Sequence, residues 1–121
     1  MEKQLNKLNQ NIFNWKATVK QADGREALVK QLFKLLVAEL PEVQTSILKA
    51  YKENDMKTLA ERVHKLHGSC CYCILPKLTP LVKKLDAQFQ KKNYEELDAN
   101  IKKLLEEIQR VKNEIEHFDV N

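Results

Sequence analysis

The sequence predicts an all-α protein: an antiparallel four-helix bundle with a short extra helix at its N-terminal end. Three observations carry that prediction. Only 2 of the 121 residues are glycine and 3 are proline, too few turn-formers for a β-sandwich or barrel. Apolar residues recur at steps of three and four along most of the chain, and no stretch alternates with the period of a strand. The breaks between periodic segments are short and polar, and short joints set consecutive helices antiparallel. A hydrophobic share of 43% and a charged share of 31% suit one globular domain and are too apolar for a disordered chain.

The elements follow in order. Residues 1–12 are polar, with Leu5, Leu8 and Ile12 at helical spacing; they read as a leader or linker, so the bundle is placed over residues 13–121. Asn14 is positioned to cap a helix beginning at Trp15. Asp23-Gly24 ends it, because glycine supplies the positive φ that a helix stop prefers. A second helix starts at Arg25. Its stripe is Leu28, Leu32, Leu35 and Leu36, extended by Leu40, Val43, Ile47 and Ala50 beyond Pro41. Because the apolar face resumes in near register, one helix kinked at the proline is favoured over two.

Asn54-Asp55 breaks the chain again and offers a cap for the third helix. Leu59, Val63, Leu66, Cys70 and Cys73 lie at steps of four, three, four and three, a buried helical face that Pro76 stops. The fourth helix carries Leu78, Leu81, Leu85 and Phe89, with Thr79-Pro80 as N-cap and first turn, or Pro76 as an earlier start. The fifth is the most regular, with Tyr94, Leu97, Ile101, Leu104, Ile108, Val111, Ile115 and Phe118 on one stripe. Lys102, Lys103, Glu106, Glu107 and Arg110 face the other way and pair at i,i+4. At roughly three and a half heptads this helix also fits a dimeric coiled coil, which would make the chain an interaction module without chemistry.

The net charge is +4, and the basic residues are scattered among acids without a long block of one sign. Nothing demands nucleic acid; such a surface equally steers an acidic protein partner. No segment is long and apolar enough to span a membrane, and no signal-peptide core opens the chain. No P-loop, GxGxxG or paired-carboxylate constellation is present.

Residues 62–73 are the unusual stretch. They hold two of the three histidines, all three cysteines and one of the two glycines. On a helical wheel His64 falls about 120° from the centre of the core stripe, on the solvent side. A neutral imidazole there offers a ring nitrogen as a nucleophile, although a surface histidine is also an ordinary thing to find. Gly68 lies one turn on, on the same side. A glycine inside a helix costs about 1 kcal/mol relative to alanine, so it needs a reason: either access to His64 or a close helix–helix contact. His67 sits about 60° from the core centre. It reads either as a boundary histidine bonded across the bundle or as a donor to a phosphate on His64. Lys65 and the nearby Lys57 and Lys77 supply positive charge.

A metal site is the lesser alternative. HxxH followed by CC-x-C matches no usual zinc spacing. Cys70 and Cys73 fall on the core stripe, where cysteine behaves as a small hydrophobe, and three cysteines so close together make a poor disulfide framework. Reduced thiols in a cytosolic setting are the plainer reading.

Val63-His64-Lys65-Leu66-His67-Gly68-Ser69-Cys70-Cys71-Tyr72 resembles the phosphoacceptor helix of histidine-containing phosphotransfer (HPt) domains, in particular those at the C-terminus of BarA-type hybrid sensor kinases. Asn14-Trp15-Lys16-Ala17, Leu40-Pro41-Glu42-Val43 and Leu75-Pro76-Lys77-Leu78 extend the resemblance over roughly residues 13–115. The resemblance implies a carrier in a bacterial two-component phosphorelay, not an enzyme. His64 would accept a phosphoryl group through Nε2 from a receiver-domain aspartate and pass it to the receiver of a response regulator. Gly68 would be the access glycine, His67 would stand where many members have a phosphate-contacting lysine, and Lys65 would serve docking or charge stabilisation. Asp86 matches a polar position on the fourth helix that hydrogen-bonds the acceptor ring in relatives. The domain would hold no cofactor, with Mg²⁺ in the partner's aspartate pocket only. It would be monomeric, touch neither nucleic acid nor membrane, and work in the cytoplasm, freestanding or as the C-terminal part of an inner-membrane sensor kinase. One departure stands out: Ile74 occupies the place of the family's second glycine, so the active helix is expected to close differently or the fourth helix to pack further off.

Overall fold

A computed structural model describes residues 12–116. It contains five helices: α1 (Trp15–Gln21), α2 (Glu26–Lys52), α3 (Met56–Cys70), α4 (Leu78–Gln90) and α5 (Leu97–Glu116). No strand occurs among the described residues. Helices α2 to α5 close a ring in which each packs on the next and α5 returns to α2; α1 lies on α2. This is the four-helix bundle with a short N-terminal helix that the periodicity predicts.

Local chemistry explains the joints. Asn14 caps α1 by accepting the Ala17 N–H at 3.0 Å, and Asp55 caps α3 by accepting the Thr58 N–H at 3.1 Å. Helices α1, α2 and α4 all end alike. A residue in the left-handed region follows each, namely Asp23 (φ 56°), Asn54 (φ 55°) and Lys92 (φ 54°). The next N–H reaches back five residues: Gly24 to the Val19 carbonyl, Asp55 to Ala50 and Asn93 to Gln88, each at 2.9 Å. These are Schellman stops, which satisfy the last carbonyls and reverse the chain. At the first of them Asp23, not Gly24, takes the first left-handed position, and Gly24 follows with φ 79°.

Helix α2 runs unbroken through Pro41 for 27 residues. Its buried stripe is Val29, Phe33, Leu36, Leu40, Val43, Ile47 and Ala50. The N-terminal half therefore differs from expectation. Leu28 and Leu32 are only half-buried and Leu35 is 60% exposed. The cause is α1 and the residues before it: the Phe13 ring meets Phe33 edge-on at 4.3 Å between centroids, which turns that face of α2 inward. Ile12, the last residue of the expected polar leader, is itself 2% exposed and belongs to the core. Residues 1–11 of that leader lie outside the described residues.

The apolar stripe of α5 follows the sequence closely, but Glu107, expected on the opposite face, is buried and pairs with Arg110 at i,i+3 (3.0 Å). Ile101, Leu104, Ile108 and Val111 are fully buried within the chain, so the stripe that a coiled coil would need is already covered. Tyr94 precedes α5 and is 45% exposed; Phe118 lies outside the described residues. On α4 the buried set is Leu78, Val82, Leu85, Asp86 and Phe89, with Leu81 only half-buried. Helix α4 has already begun at Leu78, and the Thr79 N–H bonds the Leu75 carbonyl at 2.9 Å, so Thr79 lies inside the helix and does not cap it.

Candidate functional site

Helix α3 builds the site. Leu59, Val63 and Leu66 are fully buried and Cys70 nearly so, which fixes the rotation of the helix. That rotation turns His64 outward, and its side chain is 71% exposed. His67, three residues on and nearer the core boundary, has a side chain 27% exposed. The helix stops at Cys70, three residues before the cysteine expected to finish its stripe. Cys73 is buried nonetheless, from the loop that follows.

That loop is where Ile74 replaces a glycine, and α1 holds it. The Ile74 N–H donates to the Thr18 hydroxyl at 3.0 Å, and the Asn14 N–H donates to the Ile74 carbonyl at 2.9 Å. Thr18 in turn donates to the Asn14 carbonyl at 2.7 Å. Gln21 reaches the Cys71 carbonyl at 3.0 Å. Helix α3 thus closes early, and its exit is clamped by backbone and side-chain bonds to α1.

Helix α4 brings the decisive partner. Asp86 is 4% exposed and lies against α3 between the two imidazoles. His64 Nδ1 is 3.1 Å from Asp86 Oδ2 and 3.2 Å from Oδ1. His67 Nδ1 is 2.7 Å from the same Oδ2. Burial pushes the Asp86 carboxyl up, but the hydrogen bonds from His67 and His64 and their positive charge outweigh it, and the net shift is downward. Asp86 is therefore an ionised acceptor near neutral pH. A carboxylate can only accept, so each Nδ1 carries the proton and the Nε2 of neutral His64 keeps its lone pair. That lone pair is on the side of the ring away from Asp86, where the side chain meets solvent.

Gly68 is exposed, and a Cβ built there would meet nothing within 4 Å. No neighbouring helix requires its bareness, so the close-contact reading fails and open space beside the histidine remains. A groove runs past it, lined by Leu32, Leu35, Glu39, Lys65, Ser69 and Tyr72 among others. Leu35 and Tyr72 are 60% and 61% exposed, forming an apolar shoulder, and Ser69 donates to Glu39 at 3.1 Å. Lys57, Lys65 and Lys77 are all exposed. On the other flank Ala60, Glu61, Phe89 and Gln90 border His64 and Asp86.

Of the residues expected from sequence, His64, His67 and Asp86 converge in one hydrogen-bonded cluster. Gly68 and Lys65 flank it without touching it. The apolar shoulder was missed, since Leu35 had been counted as core; the stripe Val29, Phe33, Leu36 offered the rival register. The cysteines take no part. Burial pushes both the Cys70 and Cys73 thiols up to about 12, so neither is a thiolate ligand near neutral pH. Among the described residues no three His, Cys, Asp or Glu side chains are arranged to hold a metal ion.

A helical bundle with a histidine standing on its wall is the architecture of histidine-containing phosphotransfer domains, and the family model of the Hpt domain matches residues 31–114. The chain belongs to the Hpt domain family, whose members are phosphoryl carriers in phosphorelays and not ATP-binding kinases. It is 29% identical, over 102 residues, to the signal transduction histidine-protein kinase BarA of Shigella flexneri and of Escherichia coli strain K12. That match covers 84% of this chain but 11% of each kinase. It is also 39% identical over 57 residues to the sensor histidine kinase GacS of Pseudomonas protegens, 47% of this chain and 6% of that protein. The crystal structure of the HPt domain of a sensor hybrid histidine kinase from Shewanella superposes with a TM-score of 0.83 at 29% identity, covering 90% of this chain and 94% of that one.

Proposed function

We propose that His64 is the phosphoacceptor of this Hpt domain, taking a phosphoryl group on Nε2 from the phosphoaspartate of one receiver domain and yielding it to the aspartate of another. The observation that carries this reading is the exposed His64 ring, braced at Nδ1 by a buried carboxylate. The Nε2 lone pair attacks phosphorus as the bond from phosphorus to the aspartyl oxygen breaks, and the receiver regains its carboxylate. The ring becomes positively charged, with Nδ1–H still directed at Asp86. Asp86 is a fixed counter-charge for that state and needs no reorganisation as it forms. Because the new N–P bond joins an imidazolium to phosphorus, the group remains easy to transfer, and the same geometry serves the reverse step. Positioning and charge do most of the work in such transfers.

This chain contributes no metal to that step; Mg²⁺ belongs, in this proposal, to the receiver's acidic pocket, where it neutralises phosphoryl charge. Lys57, Lys65 and Lys77 steer that acidic partner. The shoulder of Leu35 and Tyr72 beside Gly68 gives it an apolar seat. The domain acts as a monomer on the cytoplasmic side, within or beside a hybrid sensor kinase. No described helix is long and apolar enough to cross a membrane.

The test is His64→Gln. The variant keeps the helical circular dichroism and melting behaviour of the parent and takes no acid-labile, base-stable label from a phosphorylated receiver. Undiminished labelling of His64→Gln would remove His64 from the role.

A further inference from the structure

We infer that His67 is a positioning residue which acts on His64 through Asp86, and is not the group that touches the phosphate. The inference rests on the reading of His64 as acceptor.

The geometry separates the two roles. His67 Nδ1 is 2.7 Å from Asp86 Oδ2, the shortest of the three contacts to that carboxylate. His64 spans both oxygens at 3.1 and 3.2 Å. Among the described residues these two imidazoles are the only hydrogen-bond partners of the Asp86 carboxylate. The terminal torsion of an aspartate is broad and roughly two-fold, so one exposed ring does not fix the plane of the carboxylate. His67, with a side chain only 27% exposed, supplies the fixed second point. It holds Oδ2 where both oxygens face His64, and that in turn keeps the His64 proton on Nδ1 and its lone pair on Nε2.

The same bond disqualifies His67 as a direct donor. Its Nδ1–H is spent on Asp86, so Nε2 of the neutral ring carries a lone pair, which repels a phosphoryl oxygen. Only a doubly protonated ring has a second N–H to offer.

Asparagine and glutamine tell the two roles apart. The amide nitrogen of asparagine falls near the place of Nδ1, and that of glutamine near the place of Nε2. His67→Asn, His67→Gln and His67→Leu are compared at pH 8, where an ordinary imidazole is neutral. Two readouts are taken: the His64 tautomer from long-range ¹H–¹⁵N correlation spectra, and the rate of label transfer from a phosphorylated receiver. Native spectra elsewhere in each variant establish that it is folded. We expect His67→Leu and His67→Gln to lose the Nδ1–H preference of His64 and to slow transfer roughly tenfold or more, the size of one hydrogen bond to a charged group. His67→Asn keeps both near the parent values. Full transfer in His67→Gln with loss in His67→Asn would overturn the inference in favour of direct phosphate contact. An unchanged tautomer and rate in all three would overturn it in favour of a bystander. Should the parent protein take no phosphate on His64, the acceptor reading fails, and the tautomer readout alone still decides the role of His67.

Discussion

Asp86, 4% exposed, supports at 3.1 Å the Nδ1 of His64, whose side chain is 71% exposed. A buried charge thus underpins an exposed imidazole. Isolated, such a carboxylate would be costly to bury; two imidazole N–H groups make it tolerable. The pairing also decides which ring nitrogen keeps its lone pair.

Replacing the charge tests that division of labour. Asp86→Asn removes the counter-charge for the imidazolium formed during transfer but keeps the side chain's size. Transfer from a phosphorylated receiver is expected to slow by about ten- to a hundredfold, with the helical spectrum intact. Rates within a factor of two of the parent would mean that the carboxylate plays no part in the step.

The same residue sets an acid limb on stability. The Asp86 pKa is lowered on folding from its ordinary 3.8, so the folded state favours the ionised form. Its contribution is complete above the unfolded value and disappears as pH falls through the folded one. Denaturant unfolding is expected to find the parent more stable than Asp86→Asn above about pH 5, with the gap closing below about pH 4. A gap that persists unchanged at pH 3 would contradict the lowered pKa.

Gly68 separates stability from access. With open space at its Cβ, Gly68→Ala is expected to stabilise the helix by up to about 1 kcal/mol, a rise in Tm of at most roughly 4 °C. Gly68→Gln is expected to be no less stable than the parent and to transfer poorly, because its side chain fills the approach to His64. Melting curves and transfer rates together check both halves; a Gly68→Gln protein with normal transfer would make the bare surface irrelevant.

Leu35 offers a matching test at the shoulder. Being 60% exposed, it tolerates Leu35→Lys with a change in stability within about 0.5 kcal/mol. If a receiver seats there, binding weakens in titration calorimetry while His64 still reacts with a small phosphoramidate donor. Equal receiver affinity would place the docking surface elsewhere.

The core makes its own prediction. Ile108 is fully buried within one chain, so Ile108→Ala is expected to cost about 2–5 kcal/mol, with midpoints independent of protein concentration. A midpoint that climbs with concentration would mean that α5 is shared between chains.

How much was legible beforehand differs by residue. His64 and Gly68 could be read from one helical wheel, because Leu59, Val63 and Leu66 fix its rotation unambiguously. The N-terminal half of α2 could not. Leu28, Leu32 and Leu35 and the rival set Val29, Phe33 and Leu36 both keep helical spacing, and only the seat of Phe13 on Phe33 chooses between them. The early end of α3 was hidden for a related reason: Cys73 continues the three-and-four rhythm but is buried from a loop. Asp86 was visible only through family resemblance. Its bond to His67 joins two helices through side-chain torsions, and no spacing within either helix encodes that.

The His64 ring stands out from α3 with its side chain 71% exposed, between the groove beside Gly68 and the hollow beside Phe89. One perch of this kind admits one visitor at a time. If His64 carries the phosphoryl group as proposed, donor and recipient take turns there, and an excess of either crowds out the other. The direction and tempo of transfer would then follow from how much of each receiver is present and how long each lingers.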